Sequence, residues 1–319
     1  MGFRKIMTKI GIIGSGQWAF ALSKVLNKNQ IIIKCRNLRK TKKKFLQSQR
    51  QIVTDDFGLL QDCEYIFLSI PSQSVRENLK ILKNKTKNLQ STFIICCKGV
   101  EKNSNKLISE ILFEFFPNIS FAILSGPNFS SEVIKGLPTA AVLSSQKKEV
   151  LIKTSKIISQ ERFRTYFNKD IIGTQIGGAM KNIIAIASGL IIGKNLGNNA
   201  KAAIITRGLS ETVQLGLKMG AKKNTFYGLS GIGDLTLTCS SLKSRNAKLG
   251  YCLAKGGKIS ILKKNTVVEG LDSCESICQL GLRYDVELPI CNSVKKIING
   301  ENVKKIATSL LSRPLQYEK

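Results

Sequence analysis

The feature that most constrains the fold is a glycine-rich turn between a short apolar strand pattern and a helix pattern. Residues 9–26 read KIGIIGSGQWAFALSKVL. Gly14 suits the tight turn, Gly16 lets the backbone approach a phosphate, and Ala19 allows the helix to pack closely on the strand. The arrangement predicts a dinucleotide-binding unit with a pyrophosphate at the helix N-terminus.

Four further apolar runs are typical of buried strands: residues 31–36, 65–70, 92–97 and 121–124. Such runs indicate a parallel sheet that is covered on both faces. In sheets of this kind the ligand lies beyond the carboxyl ends of the strands. Lys98 follows the third run, so we expect it to point toward a cofactor, although a plain surface lysine fits the same pattern.

A cation stands where a dinucleotide fold usually carries an acid for the ribose 2′-hydroxyl. The second strand pattern ends at Arg36, and Arg39 and Lys40 follow. Cations suit a 2′-phosphate, so NADP(H) is favoured over NAD(H), which stays open as the alternative. The next cations, in residues 42–44, are interpreted as the solvated face of a basic helix.

Histidine is absent, and nine cysteines are scattered without a CxxC motif. The lack of histidine excludes Ser-His and Cys-His triads and every histidine-ligated metal, so proton transfer must use Lys, Asp, Glu, Tyr or Cys. The cysteine pattern indicates reduced thiols, and neither a disulfide framework nor a zinc site. We therefore expect a cytoplasmic protein without a bound metal.

The net charge is +29, from 50 Lys and Arg against 21 Asp and Glu. This charge raises the alternative of a nucleic-acid-binding protein. The lysines, however, occur in pairs along the whole chain and accompany many Ile and Asn residues, without basic–aromatic interleaving. We interpret the charge as a compositional bias that still attracts anionic substrates, and we expect no nucleic-acid partner.

No segment is predicted to cross a membrane. The longest apolar helical run, residues 183–192, is shorter than the roughly 20 residues that a bilayer requires. The basic N-terminus leads straight into the glycine turn without a cleavage-like site, so no signal peptide is expected either.

The strand pattern fades near residue 170, and helical spacing dominates afterwards. Helices are predicted over residues 175–193, 199–219, 241–255, 270–281, 289–298 and 302–311. The fold class is therefore α/β, with an N-terminal Rossmann-like doubly wound sheet followed by an all-α C-terminal domain. We place the dinucleotide-binding domain at residues 1–172 and the helical substrate and catalytic domain at residues 173–319.

A single lysine, Lys181, stands among small residues in the long helical segment 173–211. A lysine buried there is costly unless it is paired or employed, although a snorkelling lysine in a core helix fits the helix alone. Downstream, Asp234 supplies a carboxylate, and residues 244–246 (Ser-Arg-Asn) supply an anion-binding group. Together these pieces predict a site for a small phosphorylated substrate.

Seven segments resemble bacterial-type NAD(P)-dependent glycerol-3-phosphate dehydrogenases. They are GSGQWAFAL, CCKGVE, ILSGPNFSSEVIKGLPTAA, GTQIGGAMKNIIAIASGL, NNAKAAIITRGLSE, LSGIGDLTLTCSSLKSRN and VVEG, in the family's order over nearly the whole chain. The resemblance implies hydride transfer with NAD(P)H that interconverts dihydroxyacetone phosphate and sn-glycerol 3-phosphate. The product would supply phospholipid synthesis, and a homodimer stays open.

The resemblance also implies roles for individual residues. Lys181 would donate and accept the proton, with Asp234 supporting it and Lys98 near both ligands. The cofactor would be bound by Gly14, Gly16, Gln17, Trp18, Arg36, Lys98, Ser130, Arg245, Val267 and Glu269. The substrate would be bound by Lys98, Gly126, Asn128, Lys181, Asp234, Ser244, Arg245 and Asn246, of which the residues 244–246 would hold its phosphate.

The chain departs from the family pattern at several positions. Asn128 and Ser130 stand where the family usually has a hydroxyl residue and alanine, and Ala19-Phe20 replaces the usual Gly-Thr. The stretch 47–58 is shorter than the usual proline-bearing loop. These departures concern cofactor affinity and pocket shape, and they leave the proposed acid–base and phosphate residues intact.

Two other functions remain as alternatives. A related two-domain dehydrogenase of a 3-hydroxyacid or sugar acid would also use a helix lysine followed by asparagine. A non-enzymatic dinucleotide sensor would keep the glycine turn alone. Asp234 and residues 244–246 favour the phosphorylated substrate, and the intact Lys181 argues against a sensor.

Overall fold

The computed structural model describes residues 7–45, 49–260 and 267–311, which form two compact units. The N-terminal unit comprises the residues up to Cys97 together with Ile108–Leu124 and Asn128–Lys169. The C-terminal unit comprises Lys98–Leu107, Ser125–Pro127 and the residues from Asp170 onward. Two short segments that follow strands therefore belong to the C-terminal unit, although they precede residue 170.

The N-terminal unit is built on a sheet with the strand order β3-β2-β1-β4-β5-β6-β7-β8. The order changes direction at β1, and the pairs on both sides of this strand are parallel, which is the doubly wound arrangement. The strands are β1 (Lys9–Ile13), β2 (Gln30–Lys34), β3 (Gln51–Thr54), β4 (Tyr65–Leu68), β5 (Thr92–Ile95), β6 (Phe121–Ser125), β7 (Thr139–Ser144) and β8 (Phe163–Asn168). The predicted Rossmann-like sheet is confirmed.

Three of these strands were not among the predicted apolar runs. β3 is only four residues long and begins with a polar residue, β7 begins with half-buried small residues, and β8 is interrupted by Arg164 and Thr165. None of these segments has the continuous apolar run from which the other strands were predicted. The more apolar strands supply the core of the unit, in which side chains such as Ile12, Ile33 and Phe67 are fully buried.

Helices connect the strands of the N-terminal unit. They are α1 (Gln17–Val25), α2 (Leu38–Phe45), α3 (Val75–Lys85), α4 (Ile108–Phe115), α5 (Ser130–Ile134) and α6 (Lys148–Ile158). α1 begins directly after the glycine turn, as the strand–turn–helix pattern predicts. α2 is strongly basic, with lysines at three consecutive positions in its last turn.

The C-terminal unit is helical, which confirms the predicted fold class. Its helices are α7 (Ile171–Gly193), α8 (Gly197–Lys218), α9 (Lys223–Phe226), α10 (Asp234–Ser240), α11 (Arg245–Ala254), α12 (Glu269–Arg283), α13 (Pro289–Ile298) and α14 (Val303–Leu311). α7 lies at the centre, and α8, α10, α11, α12 and α13 pack around it.

α7 begins four residues earlier than predicted because Asp170 caps it. The Asp170 carboxylate accepts a hydrogen bond from the Gly173 backbone N–H at 2.8 Å and one from the Lys222 backbone N–H at 2.8 Å. A side-chain cap of this kind satisfies a backbone donor that a helix start leaves without a partner. The same carboxylate therefore fixes the start of α7 and ties it to the segment before α9.

α7 is also longer than the apolar run 183–192, on which the prediction about membranes rested. It has 23 residues, and by length and composition it could cross a bilayer. In the structure, however, 94% of its most apolar stretch of 18 residues is buried inside the protein. Burial of this extent is that of a core helix, around which the other helices of the unit pack.

Two glycines allow α7 and α11 to approach each other closely. A Cβ atom added to Gly189 would lie 1.9 Å from the backbone oxygen of Ala247, and one added to Gly250 would lie 1.9 Å from that of Ile186. Any larger residue would push the helices apart. This close packing brings the N-terminal end of α11 next to the middle of α7.

Candidate active site

The Lys181 side chain is buried and has two bonded partners on α10. Its Nζ atom donates to Asp234 Oδ1 at 2.6 Å and to Thr238 Oγ1 at 2.9 Å. Asp234 and Thr238 lie four residues apart on a helix and therefore share a face. The Thr238 hydroxyl donates its own proton to the Asp234 backbone oxygen at 2.6 Å, which orients it to accept from Lys181. The snorkelling alternative is therefore wrong.

Asp234 also binds Lys98, so its carboxylate bridges two lysines. Lys98 Nζ donates to Asp234 Oδ2 at 2.6 Å and to the Gly126 backbone oxygen at 2.9 Å. The Asp234 side chain is 1% exposed, against 10% for Lys181 and 21% for Lys98. Two ammonium groups thus share one buried carboxylate, which leaves a net positive charge in a poorly solvated place.

This arrangement lowers the pKa of Lys181 to about 8. Burial is the main cause, and the charge of Lys98 adds to it, whereas Asp234 works in the opposite direction. A lysine with this pKa can give up and regain a proton near neutral pH. Arg245 is not among the groups with the largest effects on this pKa.

Small residues on α7 allow the other elements to reach Lys181. A Cβ atom at Gly177 would lie 2.6 Å from the Ser230 backbone oxygen, and one at Gly178 would lie 3.4 Å from the Lys98 side chain and 3.6 Å from Ser125 Oγ. The Ser125 hydroxyl is buried and has no hydrogen-bond partner among the described residues. The crowding of glycines around Lys181 therefore makes room for the Lys98 stem and for this hydroxyl.

A chain of amide hydrogen bonds extends from Lys98 to α12. Asn182 Nδ2 donates to the Lys98 backbone oxygen at 3.1 Å, and Asn246 Nδ2 donates to Asn182 Oδ1 at 2.8 Å. Asn246 Oδ1 then accepts from the Gly270 backbone N–H at 3.0 Å. Asn246 was predicted to hold the substrate phosphate, and here its amide joins α7, α11 and α12.

The other two residues of the predicted phosphate group lie at the start of α11. Ser244 is the N-cap, and its hydroxyl accepts from the Ala247 backbone N–H at 3.3 Å. Arg245 follows as an exposed residue, and none of the described residues forms a hydrogen bond or an ion pair with it. An arginine at a helix N-terminus combines two groups that attract anions.

The glycine turn of the N-terminal unit is closely packed at Gly14 and open at Gly16. Gly14 has φ +126°, and a Cβ atom there would lie 2.2 Å from the Ser69 backbone oxygen. Gly16 is the N-cap of α1 without a side-chain bond, and a Cβ atom there would meet nothing within 4 Å. The first turn of α1 carries no acidic residue. An open backbone surface at an acid-free helix N-terminus fits an anionic ligand.

The remaining predicted cofactor and substrate residues lie in both units. Gln17 is exposed and Trp18 half-buried in the first turn of α1, and Arg36 is exposed two residues after β2. Asn128 Nδ2 donates to the Ala140 backbone oxygen at 3.0 Å and so ties its segment to β7. Three more predicted residues are Ser130, which begins α5, Val267, which is 37% exposed, and Glu269, which begins α12.

The interpretation of residues 42–44 as a solvated helix face is wrong for Lys44. Lys42 and Lys43 are exposed, but Lys44 is only partly exposed, and its Nζ lies 3.2 Å from the Gly16 backbone oxygen and 3.4 Å from that of Ser15. Three consecutive lysines have no apolar spacing that would single out the third one. Thr238 was missed too, although its position four residues after Asp234 could have indicated a shared helix face.

In comparison with known proteins, both halves of the chain match families of the same enzyme. The family described as NAD-dependent glycerol-3-phosphate dehydrogenase N-terminus matches residues 9–151. The corresponding C-terminus family matches residues 170–308. The two matches together include the glycine turn, the lysine–aspartate cluster and the start of α11.

Three relatives that cover more than nine tenths of the chain are named glycerol-3-phosphate dehydrogenase. A glycerol-3-phosphate dehydrogenase (NAD(P)+) from Zymomonas mobilis is 36% identical over 97% of this chain and 94% of its own length. One from Carboxydothermus hydrogenoformans is 38% identical over 91% of this chain and 92% of its own length. The crystal structure of glycerol-3-phosphate dehydrogenase from Coxiella burnetii has a TM-score of 0.91 and 29% identity, and covers 96% of this chain and 99% of that one. The chain belongs to the family of NAD-dependent glycerol-3-phosphate dehydrogenases, which are oxidoreductases.

Proposed function

We propose that the protein interconverts dihydroxyacetone phosphate and sn-glycerol 3-phosphate with NAD(P)H. The observation that carries this proposal is the carboxylate of Asp234, which bonds Lys181 through one oxygen and Lys98 through the other. A ketone reduction needs a proton donor for the carbonyl oxygen and positive charge to stabilise the negative charge that develops on it. The lysine pair supplies both.

The nicotinamide, when bound, supplies the hydride to the carbonyl carbon. Lys181 donates its proton to the carbonyl oxygen, and its pKa of about 8 makes this transfer accessible near neutral pH. Asp234 and Thr238 hold Lys181 in place, and the charge of Lys98 stabilises the forming alkoxide. In the oxidation direction the neutral amine of Lys181 removes the proton from the substrate hydroxyl. Such proton transfer contributes about 10²–10⁴-fold to the rate.

Arg245 is the residue that we assign to the substrate phosphate. Its guanidinium is exposed at the N-terminal end of α11, and arginine binds phosphate with two parallel hydrogen bonds. Ser244 and Asn246 would complete this group, while Gly126 and Asn128 would line the pocket. We infer that Asn246 also holds the lysine cluster in register with α12, because it bonds both Asn182 and Gly270.

The cofactor would be held first by the glycine turn, whose backbone fits a pyrophosphate. Gly14 and Gly16 shape the turn, and Gln17 and Trp18 follow it on α1. Arg36 would select the 2′-phosphate of NADP(H), and NAD(H) stays the alternative. We assign residues 1–172 to dinucleotide binding and residues 173–319 to substrate binding and catalysis. The further cofactor contacts that we propose are Lys98, Ser130, Arg245, Val267 and Glu269.

We further propose that the protein acts in the cytoplasm, supplies glycerol phosphate for phospholipid synthesis and forms a homodimer. The state of the cysteines supports the cytoplasmic location, since all nine are free thiols. Family membership supports the metabolic role. Sedimentation of the purified protein tests the dimer: a single species of about twice the chain mass of 35.2 kDa is expected, and a monomer would contradict it.

Turnover by the purified protein tests the activity. Oxidation of NADPH and NADH is followed with dihydroxyacetone phosphate, with unphosphorylated dihydroxyacetone and with a panel of 2- and 3-keto acids. We expect turnover with the ketone phosphate and a large loss without the phosphate group. Turnover with a keto acid alone would favour the hydroxyacid alternative, and nucleotide binding without turnover of any substrate would favour the sensor.

A further inference from the structure

Lys44 brings a positive charge to the glycine turn from an unexpected direction. Its Nζ atom lies within hydrogen-bond distance of two consecutive backbone oxygens, at 3.2 Å from Gly16 and 3.4 Å from Ser15. These carbonyls belong to the turn that the pyrophosphate of a dinucleotide approaches. Lys44 itself comes from α2, 29 residues from Ser15 in the sequence.

An aromatic pair holds the ammonium in this position. The Phe20 and Phe45 rings meet edge to face with their centroids 5.3 Å apart, and Lys44 Nζ lies 5.3 Å from each ring centroid. Cation–π contacts of this kind attract a lysine to the ring faces.

The position gathers positive charge. Burial lowers the pKa of Lys44, and the charge of Lys40 lowers it further. Arg36, at the carboxyl end of β2, forms no hydrogen bond or ion pair with the described residues. Lys40 and Lys44 repel each other, and an anion bound beside them relieves the repulsion. The adenosine 2′-phosphate of NADP(H) is a ligand of this charge, and it occupies the region between the glycine turn and the end of β2.

We propose that Lys44 is a cofactor-specificity residue that supplies, together with Arg36 and Lys40, the positive charge for the 2′-phosphate of NADP(H). This inference rests on the proposed function, because it requires the N-terminal unit to bind a nicotinamide dinucleotide. It adds Lys44, in the second half of α2, to the cations Arg36, Arg39 and Lys40, from which a preference for NADP(H) was predicted. NAD(H), which has a hydroxyl in place of the phosphate, gains little from Lys44.

The chain offers a direct reporter for the test. Trp18 is its single tryptophan and lies in the first turn of α1 beside the glycine turn. Energy transfer from its indole to bound NADPH or NADH gives a dissociation constant for each cofactor without any turnover. Lys44→Met removes the charge and keeps an apolar stem. Lys42→Met and Lys43→Met make the same change at exposed positions of the same helix and serve as matched controls.

We expect Lys44→Met to weaken NADPH about 10–100-fold, as the loss of a charge-assisted contact does, and NADH less than about threefold. The two control variants should change neither constant by more than about threefold. Equal weakening of NADPH and NADH would overturn the proposal, since Lys44 would then act only on the turn or the pyrophosphate. Dissociation constants for NADPH and NADH that both stay at the parent's values would overturn it as well.

A second variant keeps the test valid if Lys44→Met does not fold. Lys44→Gln can still donate a hydrogen bond toward the turn but carries no charge, and we expect it to weaken NADPH about tenfold with NADH within threefold. A Lys44→Gln protein with the parent's NADPH-to-NADH ratio would contradict the proposal. If the parent itself binds neither cofactor, the proposed function fails, and this result is distinct from an unchanged ratio between two cofactors that both bind.

Discussion

The two units differ in what would carry the chemistry proposed for them. In the N-terminal unit it is mainly backbone: Gly14 and Gly16 shape an open turn at the start of α1, without an acid or a side-chain cap. In the C-terminal unit it is side chains: Asp234 bridges Lys181 and Lys98 at 2.6 Å each. A backbone site depends on a few adjacent residues, whereas the side-chain site depends on groups far apart in sequence.

The comparison predicts that the two sites can be disabled separately. The largest effect is expected from Lys181→Met, which keeps length and apolar packing but removes the proton donor. We expect kcat for dihydroxyacetone phosphate reduction to fall about 10²–10⁴-fold, because the lysine acts in the transition state. The affinity for NADPH, measured by Trp18 energy transfer, should stay within about threefold of the parent. Turnover within a few-fold of the parent would transfer the acid–base role to Lys98.

Asp234→Asn leaves the ammonium groups of Lys181 and Lys98 without their shared carboxylate. We expect the free energy of unfolding at pH 7 to fall by about 3 kcal/mol and kcat to fall at least about 10²-fold. Asp272→Asn is the control, since Asp272 pairs with the half-exposed Lys102 at 3.5 Å and should cost less than about 1 kcal/mol. Urea unfolding measures both variants, and equal costs would show that the buried bridge is no stronger than a surface pair.

Gly16→Val tests whether the glycine turn of the N-terminal unit binds the cofactor. The backbone of Gly16 is extended, and an added Cβ atom meets no protein atom within 4 Å, so stability should change by less than about 1 kcal/mol. The side chain would occupy the space that a pyrophosphate needs, and both NADPH and NADH should weaken at least about tenfold. Unaltered binding of both cofactors would show that the glycine turn is not part of the cofactor site.

Glu211 gives a smaller effect, on stability alone. Its buried carboxylate accepts from the Ile290 backbone N–H at 2.6 Å and the Cys291 backbone N–H at 3.3 Å, and burial raises its pKa to about 7. A raised folded pKa means that the stabilisation is fully present below the unfolded value of 4.5 and is lost as pH rises through about 7. Relative to that of Glu211→Gln, the free energy of unfolding of the parent should therefore fall by about 2 kcal/mol between pH 5 and pH 8. A pH-independent difference in urea unfolding would contradict this expectation.

The same contrast explains how much could be predicted from the sequence. The glycine turn follows from local spacing, so its strand, the glycine of its tight turn and its helix were all predicted from residues 9–26. Lys181 and Asp234 were predicted from their residue types to belong to one site, but the support of Lys181 by Asp234 was implied only by the family resemblance, because 53 residues separate them. Their bonding to Thr238 and to Lys98 required the packing of α10 against α7.

The errors have a common physical origin. Lys44 was taken as solvated because its partners, Ser15 and Phe20, lie in another element and no periodic pattern links them to it. α7 begins earlier than its apolar pattern because the carboxylate of Asp170 caps it. In both cases a side chain found its partner through tertiary structure, which a pattern of adjacent residues does not contain.

The pH dependence of kcat tests most directly the central claim that Lys181, bridged by Asp234 to Lys98, is the acid–base. Reduction of dihydroxyacetone phosphate needs the protonated lysine, so kcat should be constant at low pH and fall tenfold per pH unit above about pH 8. The oxidation of glycerol 3-phosphate needs the neutral amine and should rise through the same pH. Mirror-image profiles with one shared midpoint are the result that we expect. A reduction rate that stays level to pH 10 would contradict the account, because the lysine would then have its ordinary pKa of 10.5 or no part in the proton transfer.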